Sequence, residues 1–177
     1  MRNRLSGIAA TVLALGALTA CGTDGGGTVA DPEATVSTGS SGSGDTISLR
    51  GLGGGSGLDV TVVKVADPAR SAEKFSAPER GKRWLGIQFR LVNTGTTAYA
   101  DSPQNGVQVT DADGQRFQTM FAEITAGPAM SADVRLRPGA KALGWVVVEL
   151  PADVTPTAVQ FTMDSGMADH TGEWQLT

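Results

Sequence analysis

Met163, Met167 and His170 are the residues of this chain whose types and spacing come nearest to a reactive set. Two thioethers and an imidazole fall within the eight residues Met163-Asp164-Ser165-Gly166-Met167-Ala168-Asp169-His170, and thioether and imidazole ligands suit Cu(I). Met163 also continues the apolar side of a strand pattern through Val159 and Phe161, so it reads as core. That leaves Met167 and His170 as a two-ligand copper candidate. The rest of the inventory is thin. His170 is the one histidine and Cys21 the one cysteine. A serine triad would have to use His170, and no Gly-x-Ser-x-Gly elbow leads into a helix. Asp111-Ala112-Asp113-Gly114 has part of the spacing of a calcium loop, but the further oxygen ligands and the closing Glu are missing, so it reads as a hairpin turn. Gly51-Leu52-Gly53-Gly54-Gly55-Ser56-Gly57 lacks the helix or the Gly-Lys-Ser/Thr ending of a phosphate cradle and reads as a hairpin connection. No constellation meets the first checks for an active site. The chain is therefore expected not to be an enzyme and to carry no cofactor.

Cys21 has a different chemistry. Arg2 and Arg4 precede an apolar stretch, Ile8 to Leu18, that is too short to span a bilayer as a mature helix. Leu18-Thr19-Ala20-Cys21 follows, with small residues where a signal peptidase cuts. This resembles the bacterial lipobox: Leu, small, small, Cys. The resemblance implies cleavage after Ala20, a diacylglyceryl thioether on Cys21, and Cys21 as the mature N-terminus. Each buried methylene contributes about 0.8 kcal/mol, so two acyl chains hold a protein stably where one does not. No later segment has a long uncharged apolar run, so the protein is expected at the extracytoplasmic face of the cell membrane, anchored and not spanning. Once Cys21 is lipidated no thiol remains for a disulfide, and the exported domain must stand on packing alone.

The expected organisation is a lipoprotein signal peptide over 1–20, the lipidated Cys21 with a flexible linker over 21–44, and one folded domain over 45–177. From Gly22 to Gly44, 23 residues include seven Gly, four Ser and four Thr. Such a segment buries too little to offset its ordering entropy. As a flexible coil it would span on the order of 25–30 Å, enough to clear lipid headgroups. The domain of roughly 130 residues is long enough to bury about two-thirds of its unfolded surface. The chain has 14 Lys+Arg and 18 Asp+Glu. Without Arg2 and Arg4 the mature balance is 12 against 18, a net charge of −6. That argues against a nucleic-acid partner, which calls for a basic face.

The domain is organised around Trp84 to Gly95. Leu85, Ile87, Phe89 and Leu91 fall on one face, with Gln88 and Arg90 on the other, the period of a half-buried strand. Asn93-Thr94-Gly95 stops it with turn chemistry. Further strands are expected at 46–50, 58–65 (with a bulge at the adjacent Val62 and Val63), 97–99, 107–110, 115–120, 134–136, 144–151, 158–163 and 173–176. About eight to ten short strands with Gly/Pro turns between them predict a β-sandwich or barrel. Asp67 to Arg83 is the odd piece. Asp67-Pro68 is placed like a helix start, and a loop with one helical turn ending at Pro78 is expected. This insert carries five of the 12 mature basic residues. Arg80, Lys82 and Arg83 form its candidate interaction loop, for an envelope protein or polymer.

Several pieces then line up in order: Leu58-Asp59-Val60-Thr61-Val62, Trp84 to Asn93 with Thr94-Gly95, Asp111-Ala112-Asp113-Gly114, Pro138-Gly139 and Gly144-Trp145-Val146-Val147-Val148-Glu149-Leu150-Pro151. Together these resemble the telokin-like, immunoglobulin-like domain of unknown function found in many Gram-positive, especially actinobacterial, lipoproteins. The secreted immunoprotective antigen of mycobacteria has the related fold. The resemblance covers residues 45–177 and implies an all-β, immunoglobulin-like antiparallel β-sandwich, disulfide-free, with no catalytic residues to carry over. It departs at Val148, where members often have Phe. The function expected is a membrane-anchored lipoprotein displaying a binding or interaction module at the cell surface. The alternatives are extracytoplasmic capture of copper or a small ligand, and a structural accessory subunit of an envelope complex or transporter.

Overall fold

A computed structural model describes residues 41–176. The alternation from Leu85 to Leu91 is carried by a strand, with Leu85, Ile87, Phe89 and Leu91 fully buried, Gln88 half-buried and Arg90 exposed. Eleven strands occur among the described residues. The first six are β1 (Ser41–Gly42), β2 (Thr46–Arg50), β3 (Gly57–Ala69), β4 (Lys82–Asn93), β5 (Tyr99–Asp101) and β6 (Val107–Asp111). The others are β7 (Arg116–Met120), β8 (Val134–Leu136), β9 (Lys141–Pro151), β10 (Pro156–Thr162) and β11 (Thr171–Gln175).

Two sheets form a sandwich. One runs β1-β11-β10-β6-β7 and the other β7-β9-β4-β3-β2. β7 belongs to both: Arg116 to Gln118 pair with β6, while Thr119 and Met120 pair with β9. A strand that changes sheet in this way makes the corner of a sandwich. At the opposite edge Trp174 of β11, fully buried, donates from Nε1 to the Asp45 carbonyl oxygen at 3.0 Å, just ahead of β2. β5 and β8 make a separate antiparallel ribbon. All strand pairings are antiparallel except β1 with β11. The chain thus adopts the expected all-β sandwich, and its single cysteine leaves the fold without a disulfide.

The main core lies between the sheets and includes Leu85, Ile87, Phe89 and Leu91 with Val146, Val148, Val159 and Phe161. The pairing of β3 with β4 shifts register between Val62 and Lys64, the bulge expected at the adjacent valines. β2 and β3 are paired through the glycine-rich hairpin from Arg50 to Gly57. Asp111 Oδ1 accepts from the Asp113 and Gln115 N–H groups at 3.0 and 2.9 Å, which makes this stretch a side-chain-supported turn.

The stretch after Ala66 departs from expectation. No helical turn forms between Asp67 and Pro78. β3 runs on to Ala69 instead, pairing Ala66 with Gly86 and Ala69 with Trp84 across a second register shift. Pro68 sits in that irregularity, where a missing N–H removes no ladder bond. Ser41 and Gly42, within the segment read as linker, form β1 beside Trp174 and Gln175, with Gly42 N–H donating to Asp45 Oδ2 at 2.8 Å. Residues 1–40, which hold the expected signal peptide, Cys21 and most of the expected linker, lie outside the described residues.

A second apolar layer lies on the other face of β4 and β9. It joins Ala69, Trp84, Ile124, Trp145 and Val147, and the segment after β7 covers it. Met130 N–H donates to the Trp145 carbonyl at 2.7 Å, and Trp145 N–H to that of Pro128 at 2.9 Å. Two glycines leave room for this close approach, and at Gly144 the neighbour is backbone. A Cβ on Gly86 would stand 2.7 Å from Ile124 Cδ1, and one on Gly144 2.5 Å from Met130 Cα. Trp145 pays for its packing with a buried Nε1 that has no partner among the described residues.

Phe89→Ala is expected to lower unfolding free energy by about 3–5 kcal/mol in a urea titration. Trp145→Phe removes the unpaired donor together with little volume, and should cost no more than about 1–2 kcal/mol, against about 3–5 for Trp145→Ala. A Phe variant as unstable as the Ala variant would show that Nε1 is satisfied after all.

Candidate functional site

The basic candidates are drawn into the fold to different degrees. Arg83, at the second position of β4, donates from Nε and an Nη to Asp67 at 2.7 and 2.9 Å. Its guanidinium also reaches the carbonyl oxygens of Pro151 at 2.8 Å and Val154 at 2.9 Å. Lys82 pairs with Glu79 at 2.6 Å and Glu149 at 3.2 Å. Both are thus engaged inside the molecule, where they clamp the start of β4 to the end of β9. Arg80 is exposed and makes no salt bridge among the described residues.

The structure brings a different part of the insert to a cavity. Residues 70–72 lie along 123–125: Ala72 N–H donates to the Glu123 carbonyl and Thr125 N–H to that of Arg70, both at 2.9 Å. Beside these paired segments opens a crevice of about 280 Å³. Its walls are Glu73 and Ser76 from the insert, Phe121 to Glu123 after β7, and Ala129, Met130 and Ala132 before β8. Its base is Gln104, on the 3₁₀ turn Pro103–Gly106. Gln104 is only 6 % exposed, and its Nε2 donates to the Met130 carbonyl at 3.1 Å. Phe121 is 74 % exposed, and Phe75, between the lining residues Glu73 and Ser76, is 95 % exposed. Lys74 Nζ lies 5.5 Å from the Phe75 ring centroid.

Glu73, Phe75, Gln104, Phe121 and Glu123 were not legible as a site. The one sequence signal was Phe75, which stands in a polar stretch outside any strand alternation. Gln104 carried none, because only folding buries it.

The remaining candidates differ in burial. Met163 is fully buried in the core, as its strand pattern implied. Met167 is 70 % exposed, and His170 is half-buried. No group of three or more His, Cys, Asp or Glu converges on a metal position among the described residues. Cys21 with Leu18, Thr19 and Ala20 lies outside them. No helix among the described residues is long and apolar enough to cross a membrane.

The turn Met163–Gly166 has its own constraint. Asp164 and Ser165 both adopt φ of 54°, a left-handed conformation that must be held from outside. Ser165 donates from N and Oγ to the Asp101 carboxylate at 3.0 and 2.6 Å, and Asp164 Oδ2 accepts from Leu52 N–H at 2.6 Å. Tyr99 OH also faces Asp101 at 3.3 Å. Burial pushes the Tyr99 phenol up, and the neighbouring carboxylates push it further, so it stays a neutral donor. The cluster staples the β5 ribbon to the sandwich.

Residues 55–171 match the family described as "Domain of unknown function (DUF4352)". No curated protein matches the chain. Among solved structures, the secreted protein MPT63 of Mycobacterium tuberculosis superposes with a TM-score of 0.53 at 16 % identity, over 77 % of this chain and 96 % of that one. The YjhA protein of Bacillus subtilis gives 0.53 at 16 % identity, over 77 % of this chain and 99 % of its own. A candidate lipoprotein of Bacillus subtilis, YcdA, gives 0.55 at 11 % identity over 77 % of this chain; the match spans only 38 % of its length. At these identities the likeness is one of fold.

Glu149 carries a pH dependence. Burial alone would raise its carboxyl, but donation from Trp84 Nε1, Lys82 and the Glu79 N–H, with the Lys82 charge, outweighs burial and holds it below the usual range. A carboxyl depressed in the folded state adds stability above its unfolded pKa and loses it as pH falls through the folded value. Urea midpoints followed downward from neutral pH should therefore fall less steeply in Glu149→Gln than in wild type once the ordinary carboxylate range is passed. Parallel curves would mean the clamp adds nothing.

Proposed function

The chain belongs to the DUF4352 family of domains of unknown function, and from that premise we propose that it is a lipid-anchored, non-catalytic binding module displayed outside the cell membrane. The observation that carries the binding role is the crevice between 70–76 and 121–132, with Phe75 and Phe121 exposed beside it. Exposed aromatics grouped at one cavity are what interaction sites place at their centre, and water gives no reason to keep them there. The two segments are loops on a scaffold buried on both faces, so they are free to carry recognition while the sheets carry stability. The anchor rests on Leu18-Thr19-Ala20-Cys21 and the linker behind it. A tether of this kind keeps the module near the membrane and leaves its loops free to meet an envelope partner.

In detergent phase partition of whole cells, wild type should enter the detergent phase and Cys21→Ala the aqueous phase or the medium. Crosslinking on intact cells should give an adduct that Phe75→Ala/Phe121→Ala loses. Wild type found in the aqueous phase would refute the anchor, and an unchanged adduct in the double variant would refute the site.

A further inference from the structure

The crevice also has a definite polarity, and we infer that its ligand is a basic–apolar segment of a partner polypeptide, with an apolar side chain in the crevice and a neighbouring lysine or arginine held by Glu73 and Glu123. This rests on the reading of the protein as a binding module. Size comes first. At about 280 Å³ the space falls just under the usual range of roughly 300–1,000 Å³ for drug-sized ligands. It suits a side chain or two and no large cofactor. Phe75 is not part of the lining, so an occupant confined to the crevice would leave that ring bare. An extended polypeptide can fill the crevice and cover the ring together.

Charge is the second argument. No Lys or Arg lines the crevice, whereas Glu73 and Glu123 both do, and neither carboxylate takes part in a salt bridge among the described residues. Gln104 adds to the same sign. Its Nε2 is spent on the Met130 carbonyl, and its Oε1 accepts no hydrogen bond from the described residues. The groups on offer are thus mostly acceptors, which call for a donor with positive charge. The walls are also pre-positioned: backbone hydrogen bonds tie 72 to 123, 125 to 70 and 130 to 145, so little ordering is left to oppose binding.

The test is fluorescence anisotropy with the full lipidated chain in detergent and three labelled hexapeptides. These are Lys-Leu-Phe-Arg-Leu-Lys and its two counterparts with Glu or Gln at each basic position. The basic probe should bind, the Glu probe should not, and the Gln probe should bind at least about tenfold more weakly. Raising salt from about 50 to about 500 mM should weaken the basic probe most. Glu73→Gln/Glu123→Gln should bring the basic probe to the level of the Gln probe with an unchanged unfolding midpoint, since both carboxylates are exposed. Phe121→Ala should weaken both. Equal binding of the basic and Glu probes, no binding of the basic probe, or an unaffected double variant would each overturn this inference. The binding-module reading would survive them, because phase partition and crosslinking judge it separately.

Discussion

Phe89 meets Phe161 with ring centroids 5.7 Å apart, and meets Trp174 edge-on at 6.2 Å. These contacts join β4 to β10 and β11, so they hold one sheet against the other. Aromatic pairs of this geometry add about 0.5–1.5 kcal/mol each beyond the area they bury. The one cysteine stands at position 21, ahead of the fold, so no covalent bond shares the task. The corner at β7 and the Trp174 hydrogen bond at the opposite edge keep the sheets in the register that this contact requires.

The second constraint is that β4 and β9 are apolar on both faces over part of their length. Val146-Val147-Val148 shows why: with period two, one valine of the three must point away from the main core. Val147 does, and it needs cover. Trp84, Trp145, Ile124 and Ala69 supply it, and they draw residues 122–130 down onto the sheet. The candidate crevice is a consequence, since its walls are the edges of that cover and the insert laid along it. The loops therefore hold their positions for reasons of packing, and recognition can use a surface already formed.

Charge is divided along the same line. The chain is acidic, with 14 Lys+Arg against 18 Asp+Glu, yet Arg83 and Lys82 sit where strand ends meet and are neutralised by Asp67, Glu79 and Glu149. A guanidinium that satisfies a carboxylate and several carbonyls at once ties the end of β3 and the residues after β9 to the start of β4. Glu73 and Glu123 are left without salt-bridge partners among the described residues, at the crevice that the exposed Phe121 lines. A fold can be shared by proteins of many roles, and here the differences from one relative to the next must be sought in such loops.

The strand alternations, the turns at Asp111 to Gly114 and Gly51 to Gly57, and the burial of Met163 were legible in the sequence, because period-two patterning and turn chemistry act over a few residues. The lipobox resemblance at Cys21 is equally local, but it lies outside the described residues. Asn93 marks where that reading stops. Its type identified the end of a strand, but its amide also donates to the carbonyl of Leu136 at 2.8 Å, a partner no local rule names. Asp67-Pro68 had the local form of a helix start, and long-range pairing of Ala69 with Trp84 made it strand. The second apolar layer, the engagement of Lys82 and Arg83, and the meeting of Glu73, Gln104 and Met130 are tertiary in the same way. Each depends on which residues far apart in the chain become neighbours, and a one-dimensional pattern fixes the face of a strand without fixing what comes to cover it.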